Sequence, residues 1–536
     1  MPFKLSTMKR SANRSWQVPF LLLLLVLVSC QTYYFRTTYD SANELLDRTN
    51  NLKQPPFLKA HLKNGEVVIW ENQWKLDSSQ QFIVGRGVHY DVYRRNPVVG
   101  ECKIPISSVS LFETNRKLKN PEAGRIGALT VLGIADVALG VYCIINPKAC
   151  FGSCPTFYLN PNANYHYSDA EGFSSAILPR LAYADADALP NLPATSNLDI
   201  TMKNEAMETH VVRGVRLKIF PKEVGKTVLQ GSNHRFYSVN NKINPIKATG
   251  LEGDVLPALL TPDHFERFSL AHPKSMKHRE HIDLEFETKE IEDLGLQLHF
   301  RQTLMSTYLF YSAMDDMGND FAAIFAEMDA KGGPFLKRFQ RIQSSLDGIE
   351  VSVYDEATQT WKSAGEFSEF GPIAIENQMI QLPQFSSQHR VKVRLTMNQG
   401  LWRIDAAQLV HIEKEVTPQV IEPMGLNDRN SGDLVSLPNK ENPLVTTPGQ
   451  QFTWKFSLPS AGNSWVAFLE SEGYYLEWSR SAWVKDKNIQ RLTRMGVAPE
   501  SYFRSEAKNY KEFEKTMERE FWDSRYSDKK VVYENR

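Results

Sequence analysis

No GxSxG, HExxH or Walker A motif occurs in the 536 residues, nor does a zinc-finger spacing or an EF-hand loop. These absences remove the local signatures of a serine-hydrolase elbow, a zinc peptidase, a P-loop nucleotide site and a calcium loop. An enzyme would have to rest on a scattered constellation that no motif announces. The expectation is therefore a non-enzymatic chain with no cofactor. An excess of one charge is missing as well: 62 Lys and Arg balance 62 Asp and Glu. Such a chain offers no global field for nucleic acid. Repeats and low-complexity tracts are absent too. What is present is 42% apolar and 11% aromatic residues, which suits a folded, strand-rich protein. The length exceeds what one core supports and predicts several domains.

Long apolar runs occur in two places. The first follows a segment that carries Lys4, Lys9, Arg10 and Arg14 and no acid, and it reads VPFLLLLLVLV over 18–28. It is short for a membrane span and fits the apolar region of a signal peptide. It ends in Leu27-Val28-Ser29-Cys30, which resembles the bacterial lipobox. That resemblance implies diacylglyceryl attachment at Cys30, and a membrane partner through that lipid. An ordinary secretory signal ending in Ser-Cys is the alternative. Gln31, where inner-membrane lipoproteins carry Asp, points to the outer membrane facing the periplasm.

The second run, IGALTVLGIADVALGVYCII over 126–145, carries one charge, Asp136. Twenty residues at about 1.5 Å each reach about 30 Å, enough to cross a bilayer. A crossing would carry all that follows into the cytoplasm, against the lipid on Cys30. A buried or membrane-associated helix avoids that conflict and is the reading adopted.

Along the rest, period-2 stretches such as VRLKI (215–219), IDLEF (282–286), LGLQL (294–298) and VKVRL (391–395) predict strands. The fold class expected is mainly β with some α, in two or three sandwich- or barrel-like modules. The expected order is a signal peptide (1–29), a lipidated tether (30–55), a small β domain (56–120) and the apolar helix (121–149). A main β domain (150–304) follows, then a helical insert with a sandwich-like domain (305–424), a linker (425–450), a β segment (451–484) and a helical tail (485–536). The small β domain holds a hairpin signal at Asn64-Gly65. In the tail, Phe503, Ala507, Tyr510, Phe513, Met517 and Phe521 fall at helical spacing.

The candidate chemistry centres on CFGSCPTFY (150–158). Export leaves four thiols, Cys102, Cys143, Cys150 and Cys154, in an oxidising compartment. A close pair there favours a Cys150–Cys154 disulfide. The spacing Cys-x3-Cys-Pro also resembles copper-chaperone motifs, so copper or thiol-redox assembly stays open, although no third ligand is evident. Trp361, Trp402 and Trp478 are candidates for stacking on a sugar ring or a partner. His278-x-x-His281, in a lysine- and arginine-rich loop, reads as solvated. Asp315, Asp316 and Asp320 read as a polar helix face.

CFGSCPTFY, Glu171-Gly-Phe173, Glu208-Thr-His210, LWRID (401–405) and GYYLEW (473–478) together resemble a family of Gram-negative envelope lipoproteins with no assigned activity. The resemblance implies an exported, lipid-anchored, β-rich protein with an envelope protein or glycan partner and a binding or scaffolding role. A carbohydrate-binding accessory module is the alternative.

Overall fold

The computed structural model describes residues 33–39, 57–118 and 154–206 with short gaps, 208–318, isolated positions between 324 and 346, 348–459 with short gaps, 464–477 and 487–515. Cys30, the run 126–145, Cys143, Cys150, Asp320 and Trp478 lie outside the described residues. Among those described, no helix is long and apolar enough to cross a membrane.

The chain is mainly β, as its period-2 stretches predict. An antiparallel N-terminal sheet runs in the order Tyr33–Tyr39, Val109–Leu118, Phe57–Leu62, Val67–Trp70, Phe82–Tyr90, with Trp74–Leu76 and Val98–Pro105 also paired to the last. Phe57–Leu62 and Val67–Trp70 form the expected hairpin, with Leu58 opposite Trp70. Tyr33–Tyr39 falls in the segment expected as a tether. It pairs along its length with Val109–Leu118, from Tyr33 opposite Leu118 to Tyr39 opposite Phe112. Six of its seven residues are aromatic or β-branched, so the stretch carries strand propensity of its own.

The remainder forms two modules, one nested in the other. The outer module is a sandwich built from both ends of this region. One sheet contains Thr156–Tyr158, Asn197–Lys203, Gln451–Ser457 and Gly425–Asp428; the other contains Tyr183–Ala188, Trp465–Glu477, Glu208–Pro221 and Gln419–Ile421. Phe157, Ile200, Leu217, Trp454 and Leu469 fill the space between them. The segment expected as a linker supplies Gly425–Asp428 to one sheet and Leu444–Thr446 to the other. Its turn residues are real, but short strands lie between them.

Residues 226–416 form the inner module. Its first sheet closes on itself: Phe236–Ile243 pairs with both Lys226–Gly231 and Trp402–Val416. Lys226–Gly231 runs parallel to Glu376–Gln381, which pairs with Leu294–Gln302 and so returns to Trp402–Val416. Closure of these five strands leaves no free edge among them. Leu229, Tyr237, Val239, Met379 and Val410 pack inside the ring. A second sheet, ordered Lys247–Gly250, Arg279–Glu287, Arg390–Asn398, Ile349–Asp355, Thr360–Phe367, covers the ring's other face over Leu284, Phe300, Val351, Val393 and Trp402.

The helix Met305–Met317 and the tail helices Ile489–Val497 and Pro499–Phe513 pack on this module. Asn488 caps the first tail helix by accepting from Arg491 N. Phe503, Ala507 and Tyr510 are buried as their spacing predicts, and Tyr308 packs its ring 5.2 Å from Tyr510. Met517 and Phe521 lie outside the described residues.

Candidate functional site

The motif residues that lie far apart in the chain converge on one buried junction. Glu208-Thr-His210 begins a long strand of the outer sandwich, and the pairing sets Glu208 opposite Glu477 and His210 opposite Tyr475. Glu208 Oε1 accepts from the Cys154 amide at 2.5 Å and lies 2.8 Å from His210 Nε2. Neither Glu208 nor His210 reaches solvent. Burial pushes the His210 pKa down to about 3, only partly offset by Glu477, so the imidazole is neutral at ordinary pH. Cys154 is 2% exposed, and its Sγ lies 2.9 Å from Glu171 Oε1.

Glu171 is the point of connection. Its Oε2 accepts from the amides of both Ile373 and Ala374 at 2.9 Å, residues of the inner module. Its own amide donates to Asp187 Oδ2 at 2.5 Å. Gly371 makes this approach possible. Its φ is +143, and a Cβ there would lie 2.9 Å from Glu171 Oε2, closer than side chains tolerate.

The segment 371–374 is held from its other side. Gln302 N donates to Gly371 O, and Arg301 Nη1 donates to Ile373 O, both at 3.0 Å. Arg301 pairs with Glu266, which also meets Arg403 at 3.4 Å. Arg301 and Arg403 are register partners on adjacent strands, so one carboxylate answers two buried cations. Asp405, two residues on, is 2% exposed. Burial, with Glu266 beside it, lifts its pKa to about 6 against backbone bonds from His264 and Asp263. Nearby, Gln297 Nε2 donates to Asn377 Oδ1 at 2.6 Å and lies 3.1 Å from His299 Nε2. Burial takes His299 to about 3.

This chain of buried, mutually bonded groups ties the two modules together. Among the described residues no three His, Cys, Asp or Glu side chains are grouped to hold a metal ion.

The candidate aromatics separate clearly. Trp402 is 2% exposed in the core beside Phe300, so it is not available to stack on a ligand. Trp361 is partly exposed on the outer face of the second sheet. It pairs across the strands with Tyr354, ring centroids 5.3 Å apart and edge to face. Arg394 lies 4.4 Å from the Trp361 ring and is fixed by two bonds to Asp283, at 2.7 and 2.8 Å. Lys392 reaches to 5.7 Å from the Tyr354 ring. Ser352 stands opposite Arg394 on the adjoining strand. The result is an aromatic pair bordered by fixed polar groups on an outward sheet face.

The remaining candidates have ordinary places. His272 and His278 stack 4.0 Å apart, while His281 sits on the strand Arg279–Glu287 opposite Thr396. Asp316 is buried against Arg491 at 3.5 Å. Sequence reasoning assigned no site role to Glu171, Glu208, His210, Arg403 or Asp405. The available signal was an ionisable residue inside an otherwise apolar strand, as in ETHVV and LWRID.

No protein-family model matches the chain, and no curated protein matches it. A weak structural likeness is to BuGH86wt in complex with neoagarooctaose, at 8% identity and a TM-score of 0.15. It covers 44% of this chain and 35% of that one, about a third of its length. So loose a superposition carries no argument about fold or ligand.

Asp405 gives a pH prediction of definite sign. Its folded pKa of about 6 stands above its ordinary 3.8, so the folded state takes up the proton first. Its contribution to stability therefore rises as pH falls from 7 to 4. Asp405→Asn should stabilise the protein by about 2–3 kcal/mol at pH 7.5, with the gain vanishing near pH 4. Paired denaturant melts across that range check this; a gain that does not change with pH would refute it.

Proposed function

We propose that this chain is a non-catalytic, lipid-anchored binding protein of the bacterial envelope that docks a glycan on the sheet face at Tyr354 and Trp361. The observation that carries the reading is the partly exposed aromatic pair beside the Arg394–Asp283 fork. Sugar rings present C–H faces that stack on aromatic rings, and their hydroxyls pair with fixed carboxylates and guanidinium groups. A rigid sheet bearing such groups binds with little ordering cost. Anchoring is supported by the basic start, the apolar run 18–28 and the Leu-Val-Ser-Cys30 ending. In this reading, the anchor would keep the binding face within reach of envelope polysaccharides.

The copper or thiol-redox reading is less well supported. Cys154 is almost fully enclosed and faces a carboxylate oxygen, which leaves little room for exchange with a partner thiol. A Cys150–Cys154 bond remains part of the proposal as a structural staple.

Two experiments test the two halves. Titrating the chain from residue 31 with peptidoglycan fragments, lipopolysaccharide core oligosaccharide and neutral gluco-oligosaccharides should quench tryptophan fluorescence for at least one class. Trp361→Ala should weaken that binding by about tenfold or more, in line with the loss of one stacked ring. A flat response throughout, or undiminished binding by the variant, removes the glycan reading. For the anchor, Cys30→Ala should abolish metabolic labelling with a fatty-acid analogue; persistent labelling contradicts it.

A further inference from the structure

A hollow of about 780 Å³ opens where the outer sandwich passes into the closed ring. One wall is the turn between the strands Glu208–Pro221 and Lys226–Gly231, and another is the far end of Phe236–Ile243. Ser464, just before Trp465–Glu477, completes it. The hollow thus draws on both modules, a usual place for small-ligand sites.

The charges around it are unevenly matched. Lys226 bridges Glu223 at 3.1 Å and Glu413 at 2.8 Å. Glu413 also accepts from Ser238 and Asn240, so both nearby carboxylates are engaged. No ion pair or side-chain hydrogen bond engages Lys222, Asn241, Lys242 or Ser464 among the described residues, although all four line the hollow. Lys222, Asn241, Lys242 and Ser464 are all exposed at the mouth of the hollow, and partial desolvation of Lys242 holds its pKa below the ordinary lysine value. Asn241 adopts the left-handed backbone, φ +48, where the strand register breaks between Asn240 and Ile243. Asn tolerates this conformation better than most residues, and the break turns Asn241 and Lys242 away from regular pairing.

We infer that this hollow binds a small ligand through an oxyanion, with Lys222 and Lys242 supplying charge and Asn241 and Ser464 supplying hydrogen-bond donors. Phosphate and sulfate esters and sugar carboxylates share this chemistry. The site is separate from the Trp361 face and does not rest on the glycan reading, because no residue is common to both.

Calorimetric titration of the full chain at low salt with inorganic phosphate, inorganic sulfate and glucuronate distinguishes the three sources. At least one should bind saturably. Lys242→Gln and Lys222→Gln should each weaken it by about tenfold, the loss expected for a charged hydrogen bond. Lys440→Gln, a surface lysine outside the hollow that is 74% exposed, should leave it unchanged. Trp361→Ala should also leave it unchanged, which keeps failure here distinct from failure of the glycan reading. No saturable binding of any probe would overturn the inference. Equal losses in all three lysine variants, the mark of non-specific charge attraction, would do the same.

Discussion

The carboxylate of Glu171 belongs to the outer sandwich, yet two of its strongest partners are backbone amides of the inner module. Each such bond to a charged group contributes about 1.5–3 kcal/mol, and a buried amide left without it costs a similar amount. Apolar contact also joins these modules through Phe220, Phe236 and Phe468, a contact with little directional preference. Glu171 adds direction. It fixes the segment 371–374 in one register, and Gly371 is the residue that lets the backbone come close enough.

From that point the buried polar groups form a continuous line. Glu171 connects through Ile373 to Arg301, then to Glu266 and Arg403, with Asp405 beside them. On the other side it meets Cys154, whose amide reaches Glu208 and so His210. Buried ionic groups of this kind are costly unless every member is answered. Their return here is specificity of docking between two modules that share a nested chain. A rigid docking also holds the Trp361 face and the lysine-lined hollow in constant relation to the rest of the protein.

Much of this was legible in sequence. The strands at 215–219, 282–286 and 391–395 alternate apolar and polar residues because one face of each meets a core, whereas 294–298 alternates in sequence yet is buried on both faces. The tail helix shows its buried stripe for the same reason. Two things were not legible. The turn-rich segment 425–450 contributes short strands that pair within the segment, with Gln451–Ser457 and, more than two hundred residues back, with Glu208–Pro221, as Thr446 does opposite His210. The nesting itself follows from the pairing of Glu208–Pro221 with Trp465–Glu477, a non-local contact that no periodicity records. Trp361 and Trp402 looked equivalent in sequence. Their opposite fates depend on which face of a strand each occupies after the ring closes.

Glu171→Ala, followed by differential scanning calorimetry, tests the lock most directly. The wild-type chain should unfold its two nested modules in one cooperative transition. If Glu171 couples them, the variant should lose several kcal/mol, about the cost of two stranded amides, and the transition should broaden or split in two. An unchanged single transition at the wild-type temperature would contradict the account.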